Sequence, residues 1–368
     1  MPITLDGTNG ITTPSYGGAD TAEYLVPVTG FKNRIINGAM TIDQRNAGAS
    51  VTQTSGVAYN IDRWFAYGNV SSKFTIQQDA GAVTPPVGFS DYLGVTSSSA
   101  YSVPAGEIYV IGQYIEGFNT ADLGFGTANA KTVTLSFWVR SSLTGTFGGS
   151  LQNSAFNRSY PFSYTISSAN TWEQKSITIA GDTTGTWVGA TNGIGLRLWF
   201  SMGMGSTFSG TAGAWSGSDF RSATGATSVV GTNGATWYIT GVQLEVGSTA
   251  TSFDYVDYGR SLIQCQRYYQ RIDGIAGVAG TSTQLWVSLN YPIEMRANPT
   301  LSVSGAMEFT DIIAANYTQS SAHVAINGGT QLTTRGVLAF FNNFSGLTTP
   351  RPMLNLPHVN RLLLSAEL

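Results

Sequence analysis

The chain has few of the residues on which metal and thiol chemistry depend. Its 368 residues include one cysteine and two histidines. Cys265 has no partner for an internal disulfide, so we expect a plain buried or half-buried thiol. His323 and His358 lie far apart in the sequence with no cysteine near either, which argues against a His/Cys zinc site.

Charge is scarce as well. Charged residues make up 11% of the chain, against roughly 25% in an average soluble domain, and the formal net charge is −3. The sequence contains no run of Lys or Arg that would neutralise phosphates, so we expect no nucleic-acid partner. A surface with so little charge also repels other proteins weakly, which suits a subunit held in a larger assembly.

Long apolar runs are missing too. No segment approaches the roughly 18 apolar residues of a membrane-spanning helix, so we expect no membrane insertion. Residues 1–7 lack the basic and apolar regions of a secretory signal. If the protein acts outside a cell, we expect it to leave by a route other than classical secretion.

The chain is instead rich in turn residues and aromatic rings. From Phe31 onward, short apolar or alternating runs recur between clusters of Gly, Asn, Asp and Ser, which is typical of β-strands. The runs that predict strands most clearly are residues 73–78, 108–115, 132–140, 162–166, 174–179, 195–201 and 237–246. Because no convincing amphipathic helix precedes Tyr258, we predict an all-β fold, an antiparallel jelly-roll β-sandwich.

Shifts in composition divide the chain into four parts. Residues 1–30 are rich in Gly, Ser and Thr and predict an extended N-terminal arm, whereas residues 31–257 hold the strands of the jelly roll. Residues 258–272 predict a short helical connector, and residues 273–368 contain several short strand-like runs that predict a small C-terminal β domain. One helical face of the connector would carry Tyr258, Leu262, Cys265 and Tyr269.

Several short motifs resemble a known group of proteins. They are Asn33–Met40, Ile61–Phe65, Val133–Arg140, Gly241–Gly247, Cys265–Tyr269 and Pro292–Thr300. Together and in this order they resemble phage tail-fibre-like and other virion proteins that are built on a carbohydrate-binding-module jelly roll. Residues 3–14 are similar to the short leaders that begin many such proteins.

This resemblance implies a function. The chain would be a non-enzymatic virion protein, most simply a tail-fibre or receptor-binding subunit that recognises host surface polysaccharide. The arm at residues 1–30 would attach it to other virion proteins, lysis would release it on the particle, and the subunit would be a homotrimer. The chief alternative is a purely architectural component, such as a capsid decoration, head-fibre or tail protein without receptor binding. A depolymerase is a third class, but the Asp and Glu residues are scattered singly and do not indicate a catalytic pair.

Aromatic side chains are the best candidates for a glycan site, because apolar sugar faces stack on aromatic rings. Trp138, Trp199 and Trp237 lie within predicted strands, so we expect them in the core. Trp187 and Trp215 lie among Gly, Ser and Thr in predicted loops, and we predict that they form a stacking platform. Packing of these two rings against a neighbouring subunit is the alternative.

Two further sites follow from the resemblance alone. The helix after the last strand of the jelly roll would bring Tyr268 and Tyr269 to an oligomer contact. Some similar jelly rolls hold a structural Ca²⁺, to which Asp62 or Glu245 could contribute here. Such a site needs roughly six to eight oxygen ligands, and the sequence does not supply a recognisable set, so we predict no cofactor and leave the metal open.

Overall fold

The computed structural model describes residues 31–311, 313, 315–326, 332–356 and 360–368, together with the backbone of two short strands near the N-terminus. These are β1 (Thr4–Asp6) and β2 (Gly10–Thr12), which pair antiparallel. Apart from these two strands, the predicted arm at residues 1–30 lies outside the described residues, and so does His358.

Two six-stranded sheets form the larger unit. Its strands, with a short pair in a long loop, are β3 (Val51–Thr52), β4 (Gly56–Ile61), β5 (Trp64–Gly68), β6 (Phe74–Gln78), β7 (Leu93–Ser97), β8 (Ile108–Glu116), β9 (Val133–Ser141), β10 (Gly145–Gln152), β11 (Ser159–Ile166), β12 (Glu173–Ile179), β13 (Ile194–Met204), β14 (Ser209–Gly210), β15 (Ser222–Ala223) and β16 (Thr236–Val246). Short 3-10 turns lie at Ala80–Ala82, Gly117–Asn119, Ala121–Leu123 and Ser206–Phe208.

The first sheet has the order β11-β10-β13-β8-β5-β4, and the second has the order β12-β9-β16-β7-β6-β3. All of their pairings are antiparallel, and the chain passes repeatedly from one sheet to the other, for example from β8 to β9 and from β12 to β13. Alternate side chains of both sheets meet in one core, where Phe137, Phe200 and Trp237 are fully buried. The predicted all-β jelly-roll sandwich is therefore confirmed.

The C-terminal part is a second, smaller β unit. Its strands are β17 (Tyr269–Ile272), β18 (Ala276–Ala279), β19 (Leu285–Asn290), β20 (Thr300–Val303), β21 (Glu308–Thr310), β22 (Asn316–Thr318), β23 (Val324–Ile326), β24 (Gly336–Phe341), β25 (Pro352–Asn355) and β26 (Leu362–Ser365). They form a three-stranded sheet, β17-β26-β20, and a seven-stranded sheet, β22-β21-β25-β18-β19-β24-β23. A separate core of buried residues, including Val287, Phe309 and Phe341, lies between them.

The connector between the two units is shorter than predicted. Helix α1 spans Tyr258–Gln266 and begins at Asp257, whose side chain accepts a hydrogen bond from the backbone N–H of Arg260. The chain then becomes strand β17, which pairs with β26, so the predicted helix does not extend to residue 272. Cys265 is buried as expected, and burial raises the pKa of its thiol.

Two of the recognised motifs pair directly with each other. The backbone N–H of Arg34 donates to the carbonyl of Leu244 at 2.9 Å, and that of Val242 donates to the carbonyl of Gly38 at 2.9 Å. The side-chain oxygen of Asn33 accepts from the N–H of Leu244 at 3.0 Å. The segment Asn33–Met40 therefore lies along the later half of β16 without forming a strand, and both motifs belong to the framework.

Two other motifs, Ile61–Phe65 and Cys265–Tyr269, meet where the two units touch, at a cluster that we call the junction and define by Arg45, Arg63, Glu116, Arg267, Tyr268, Tyr269 and Glu367. Arg63 is almost fully buried, forms a close ion pair with Glu367, and lies 3.6 Å from the centre of the Tyr268 ring. Arg45 binds the same carboxylate at 2.8 Å and lies 3.7 Å from the centre of the Tyr269 ring. One carboxylate of the small unit thus neutralises two arginines of the sandwich.

The predicted oligomer contact at Tyr268 and Tyr269 requires correction. Tyr268 donates a hydrogen bond to Glu116 at 2.7 Å, and Glu116 also binds Arg267 at 2.8 Å. The exposed fractions of the two tyrosines are 0% and 6%. Their rings are covered by contacts inside one chain, because the chain turns from helix to strand at Arg267 and carries both side chains inward, so they are not available to a second copy.

Candidate functional site

The two tryptophans predicted to bind ligand lie together at one edge of the sandwich. The centres of the Trp187 and Trp215 rings are 5.4 Å apart, and the ring planes are at 87°. Phe125 packs edge-on against both, at 5.0 Å and 5.8 Å, and Tyr160 packs against Trp215 at 5.3 Å. We call these four residues the aromatic rim.

The geometry of the aromatic rim differs from a flat platform. Trp187 and Trp215 are half-buried against the sandwich core, and their planes are nearly perpendicular. Two sugar rings in a row would need two faces in roughly the same plane, which this arrangement does not offer. One sugar ring can stack on the open part of one indole while its edge touches the other, and this uses apolar and aromatic surface in the ordinary way.

The loop between β12 and β13 holds Trp187 in place through a buried ion pair. Asp182 accepts two hydrogen bonds from Arg158, at 2.6 Å and 2.7 Å, and two more from the N–H and hydroxyl of Thr184. Burial works against ionisation of Asp182, but these four donors outweigh it and hold the pKa of that carboxyl below its usual range. The indole N–H of Trp187 then donates to the carbonyl of Thr184 at 3.2 Å.

The long loop at residues 203–234 delivers Trp215 to the same edge. Ser216 and Ser159 exchange two backbone hydrogen bonds, at 2.8 Å and 3.0 Å, which tie the loop to β11. The indole N–H of Trp215 donates to the carbonyl of Ala180 at 2.7 Å. Because both indole N–H groups are already satisfied by the protein, a ligand would meet carbon faces and edges here rather than these donors.

A small cavity of about 50 Å³ opens beside the aromatic rim. Trp187, Phe125 and Leu196 give it an apolar wall, and Thr120 adds a hydroxyl group. Pockets that enclose a whole small molecule usually measure about 300–1,000 Å³. This cavity therefore has room for one small substituent of a ligand and not for a sugar ring.

The charges around the aromatic rim are paired. Asp122, one residue beyond the cavity lining, binds Arg34 at 2.8 Å and lies 3.8 Å from Lys131. Asp182 is committed to Arg158. In the part of the chain that the structure describes, this edge consequently combines aromatic surface with ion pairs that compensate each other.

Of the three tryptophans predicted for the core, two are buried, and the prediction for the third, Trp138, is wrong because alternation along β9 turns it away from Phe137 and the core. Trp199 and Trp237 are buried, whereas Trp138 is half-buried on the outer side of the second sheet. Trp199 points away from the main core, but Phe208 and Arg221 of the long loop cover it. That loop therefore closes one face of the sandwich as well as carrying Trp215.

Two members of the aromatic rim escaped prediction. Phe125 lies between Gly124 and Gly126, in the same kind of loop that singled out Trp187, so the same reasoning would have found it. Tyr160 lies at the start of β11, and its side chain packs in the core cluster of the sandwich. Nothing in its local sequence distinguishes it from an ordinary core residue.

The carboxylates considered for calcium are bound by protein donors. Glu245 accepts hydrogen bonds from the N–H and hydroxyl of Thr251, at 2.9 Å and 2.6 Å, and one from Gln243 at 2.8 Å. Asp62 accepts two from Gln44, at 2.7 Å and 2.6 Å. Among the described residues, no group of three or more His, Cys, Asp or Glu is arranged to hold a metal ion.

The described residues also contain no helix that is long and apolar enough to cross a membrane. No protein-family model matches the chain, and a search of curated proteins finds no match either.

Solved structures with a similar arrangement of strands do exist. One is the enzymatically active domain of tailspike protein 4 from bacteriophage CBA120, with 14% identity and a TM-score of 0.31 over 58% of this chain and 21% of that one. The chain thus spans about a fifth of the tailspike domain.

Two others are sugar-related proteins. A putative sugar binding protein from Bacteroides thetaiotaomicron shows 12% identity and a TM-score of 0.34 over 59% of this chain and 100% of that one. A family 11 carbohydrate-binding module from Clostridium thermocellum shows 9% identity and a TM-score of 0.27 over 53% and 97% of the two chains. Likeness at this level does not carry function from one protein to another.

Proposed function

We propose that the chain is a non-enzymatic phage virion protein whose sandwich binds host surface glycan at the aromatic rim, as a tail-fibre or receptor-binding subunit. The observation that carries the binding part is the meeting of Trp187, Trp215 and Phe125 beside a small cavity at one edge. The virion part, with its attachment arm, its extracellular exposure on the particle and its homotrimer, rests on the sequence motifs alone.

The chemistry of the rim favours an uncharged glycan. Its polar neighbours are hydroxyl groups, backbone carbonyls and ion pairs, and the one cation in surplus there among the described residues, Lys131, lies 3.8 Å from Asp122, so an acidic sugar would have to compete with that carboxylate for it. The sugar ring would lie across the open surface of an indole, and the cavity of about 50 Å³ would receive one substituent such as a hydroxymethyl group. We therefore expect neutral polysaccharides to bind better than uronic-acid or sulfated ones.

The environment of Asp182 supports binding rather than hydrolysis. A general acid needs a raised pKa and a second carboxylate across the substrate. Asp182 is instead ionised, buried against Arg158 and Thr184, and occupied in positioning the Trp187 loop. Asp182 is the carboxylate nearest to Trp187 on the loop between β12 and β13, but it is a poor proton donor for these reasons.

The test compares binding by the whole chain before and after each indole is removed. We expect Trp187→Ala and Trp215→Ala to weaken binding to a neutral host polysaccharide by about 10- to 100-fold, the range for loss of a central aromatic contact. Tyr258→Ala is the control, because Tyr258 is an exposed ring on helix α1. Calorimetry or a polysaccharide array gives the affinity, and circular dichroism checks the fold.

The alternatives give different results in the same set of experiments. Failure of the intact wild-type protein to bind any host polysaccharide or host cells would favour the architectural role. Release of reducing ends from the polysaccharide would show a depolymerase. Imaging the chain in a virion, on the tail tip or on the head, separates a fibre from a capsid decoration, and light scattering tests the predicted trimer.

A further inference from the structure

Two arginines and one aspartate meet on the outer face of the first sheet. Arg197 of β13 and Arg221 of the long loop both lie against Phe156, with their guanidinium carbons 3.9 Å and 4.7 Å from the centre of its ring. Among the described residues, Asp219 is the only carboxylate within ion-pair distance of either arginine. This group of side chains therefore holds one more positive charge than negative charge.

The carboxylate of Asp219 is committed to Arg221. Nε and Nη2 of Arg221 donate to its two oxygens, each at 2.9 Å. The side chain of Gln152 donates to the same carboxylate at 2.6 Å and accepts from the indole N–H of Trp199 at 3.0 Å. This network fixes Asp219 and Arg221 and leaves Arg197 without a counter-charge.

Arg197 is buried although no carboxylate pairs with it. Its exposed fraction is 6%, and its Nε has no hydrogen-bond partner in the part of the chain that the structure describes. Its Nη1 donates to the carbonyl of Asn153 at 2.6 Å. Burial lowers the pKa of the guanidinium and the nearby charge of Arg221 lowers it further, although Tyr114 partly opposes both. A buried cation in this situation is stabilised when an anion joins it.

The unused donors of the two arginines lie near one another. Burial raises the pKa of Tyr114, and the charges of Arg197 and Arg221 partly lower it again, so the Tyr114 hydroxyl lies close to both guanidinium groups. Neither Nη2 of Arg197 nor Nη1 of Arg221 donates to a carbonyl or carboxylate of the described residues, and both nitrogens keep contact with solvent. Two N–H groups and one hydroxyl are thus open to the same ligand.

The aromatic rings around the arginines favour the same kind of ligand. Phe156 lies against both guanidinium groups, and Phe208 lies 5.3 Å from that of Arg221. Apolar rings at the faces of a guanidinium exclude water and strengthen its attraction to an anion. The N–H groups at its edge remain free, and their spacing matches the oxygens of a carboxylate or a sulfate group.

We propose that Arg197, Arg221 and the Tyr114 hydroxyl form a binding site for one oxyanion, a carboxylate or a sulfate group. The bound group would give Arg197 the counter-charge that Asp219 does not supply. Because Arg197 is so deeply buried, only a small group that projects from a ligand can reach it. The site uses none of the residues of the aromatic rim, so it does not depend on glycan binding there, and the preference for neutral sugars expected at the rim does not apply to it.

Calorimetric titration of the full chain with sodium sulfate and with sodium acetate tests the proposal, with the ionic strength kept constant by sodium chloride. Neither probe has a sugar ring that could stack on the aromatic rim. We expect dissociation constants of about 1 mM, the level that two or three charge-assisted hydrogen bonds provide. Glucuronate is the third probe: tighter binding than acetate would identify an acidic sugar as the source of the carboxylate, and equal binding would identify a free anion. Both results support the site.

Arg197→Met removes the charge and keeps much of the side-chain volume. It should weaken sulfate and acetate binding at least about tenfold, and in the absence of these anions its thermal midpoint should not fall below that of the wild type, because a buried unpaired charge is gone. Neutral polysaccharide should bind as before. Arg335→Met, at an exposed arginine of the small unit, is the control and should leave anion binding unchanged.

Tyr114→Phe provides a second variant that removes only a hydroxyl group and should weaken binding of both anions about two- to tenfold. A wild-type chain that binds neither sulfate nor acetate overturns the proposal. Equal affinities of Arg197→Met and Arg335→Met overturn it as well, with circular dichroism as the check on folding. If Arg197→Met does not fold, Tyr114→Phe decides alone, and wild-type affinity of that variant for both anions rejects the site.

Discussion

The junction and the aromatic rim differ in charge, in burial and in the sequence motifs that supply their residues. The junction is charged, largely buried and built in part from the motifs Ile61–Phe65 and Cys265–Tyr269, with Arg63 and Glu367 at its centre. The aromatic rim consists of four uncharged side chains outside every recognised motif, three from loops and Tyr160 from β11, with the half-buried Trp187 and Trp215 at its centre. The motifs that carry the resemblance therefore lie in the framework of the units and at the junction, and the candidate recognition residues lie outside these motifs.

The largest effect should come from breaking the junction. Glu367→Ala leaves Arg63 buried without its counter-charge and removes a partner of Arg45, so we expect the free energy of unfolding to fall by about 3–5 kcal/mol. Urea unfolding at neutral pH measures it. Glu294→Ala, which breaks an exposed pair with Arg335 in the same unit, is the control and should leave the urea midpoint unchanged. Equal effects of the two variants would contradict the special role of the junction.

A smaller loss of stability should follow from disturbing the contact between Asn33–Met40 and strand β16 in the sandwich. A methyl group on Gly38 would overlap the carbonyl oxygen of Val242, which is backbone and cannot swing aside. We expect Gly38→Ala to lower the free energy of unfolding by about 2–3 kcal/mol. Gly106→Ala, where a methyl group meets no other atom, should stay within about 0.5 kcal/mol of the wild type.

The glycan affinity of Gly38→Ala gives a second way to compare the framework of the sandwich with the aromatic rim. If recognition lies in the aromatic rim, Gly38→Ala protein that is still folded should bind polysaccharide as tightly as the wild type does. A loss of affinity in folded Gly38→Ala, without a similar loss in Trp187→Ala, would move the binding site toward the junction side of the molecule.

The smallest predicted change in the free energy of unfolding is the one that Asp62 causes as the pH rises. Burial raises the pKa of Asp62 to about 6, although Arg45 and Gln44 partly oppose this. A raised pKa in the folded state means that Asp62 contributes stability in full below pH about 4, its usual range, and that this contribution is lost as the pH rises through about 6. From pH 4.5 to 7.5 the loss from this group should be about 2 kcal/mol.

Asp62→Asn provides the measurement. The variant cannot titrate, so its stability relative to the wild type should improve by about 2 kcal/mol between pH 4.5 and 7.5, whatever its constant cost from the altered bonds to Gln44. Chemical unfolding of both proteins at the two pH values gives this double difference. A difference that does not change with pH would show that Asp62 titrates in the folded protein as it does in the unfolded chain.

The sequence predicted the strands that are rich in large apolar side chains and missed one that is rich in glycine. The runs at 108–115, 132–140 and 237–246 became β8, β9 and β16 with ends shifted by a residue or two. Strand β10, which begins Gly145-Thr-Phe-Gly-Gly, was missed because glycine disfavours strands by itself. Gly149 is nevertheless required there, since a side chain would overlap the carbonyl of Trp199 on the neighbouring strand.

The candidate site could be predicted only in part, because contacts with distant parts of the chain decide its geometry. Loop composition was enough to select Trp187 and Trp215, but their perpendicular packing depends on Phe125 and on Arg158, the partner of Asp182, and both come from other loops of the chain. The helical spacing of Tyr258 and Cys265 was real, yet extending it to Tyr269 was wrong. Pairing with β26, almost one hundred residues further along the chain, overrode the local pattern.

The pair between Arg63 and Glu367 has a consequence for synthesis. The two residues are 304 positions apart, so a growing chain exposes the complete jelly roll well before the carboxylate that neutralises Arg63 emerges from the ribosome. Until then the arginine must stay in water and the sandwich cannot close around it. Chains that are cut short before Glu367 would keep this surface open and would be degraded by proteases faster than intact chains.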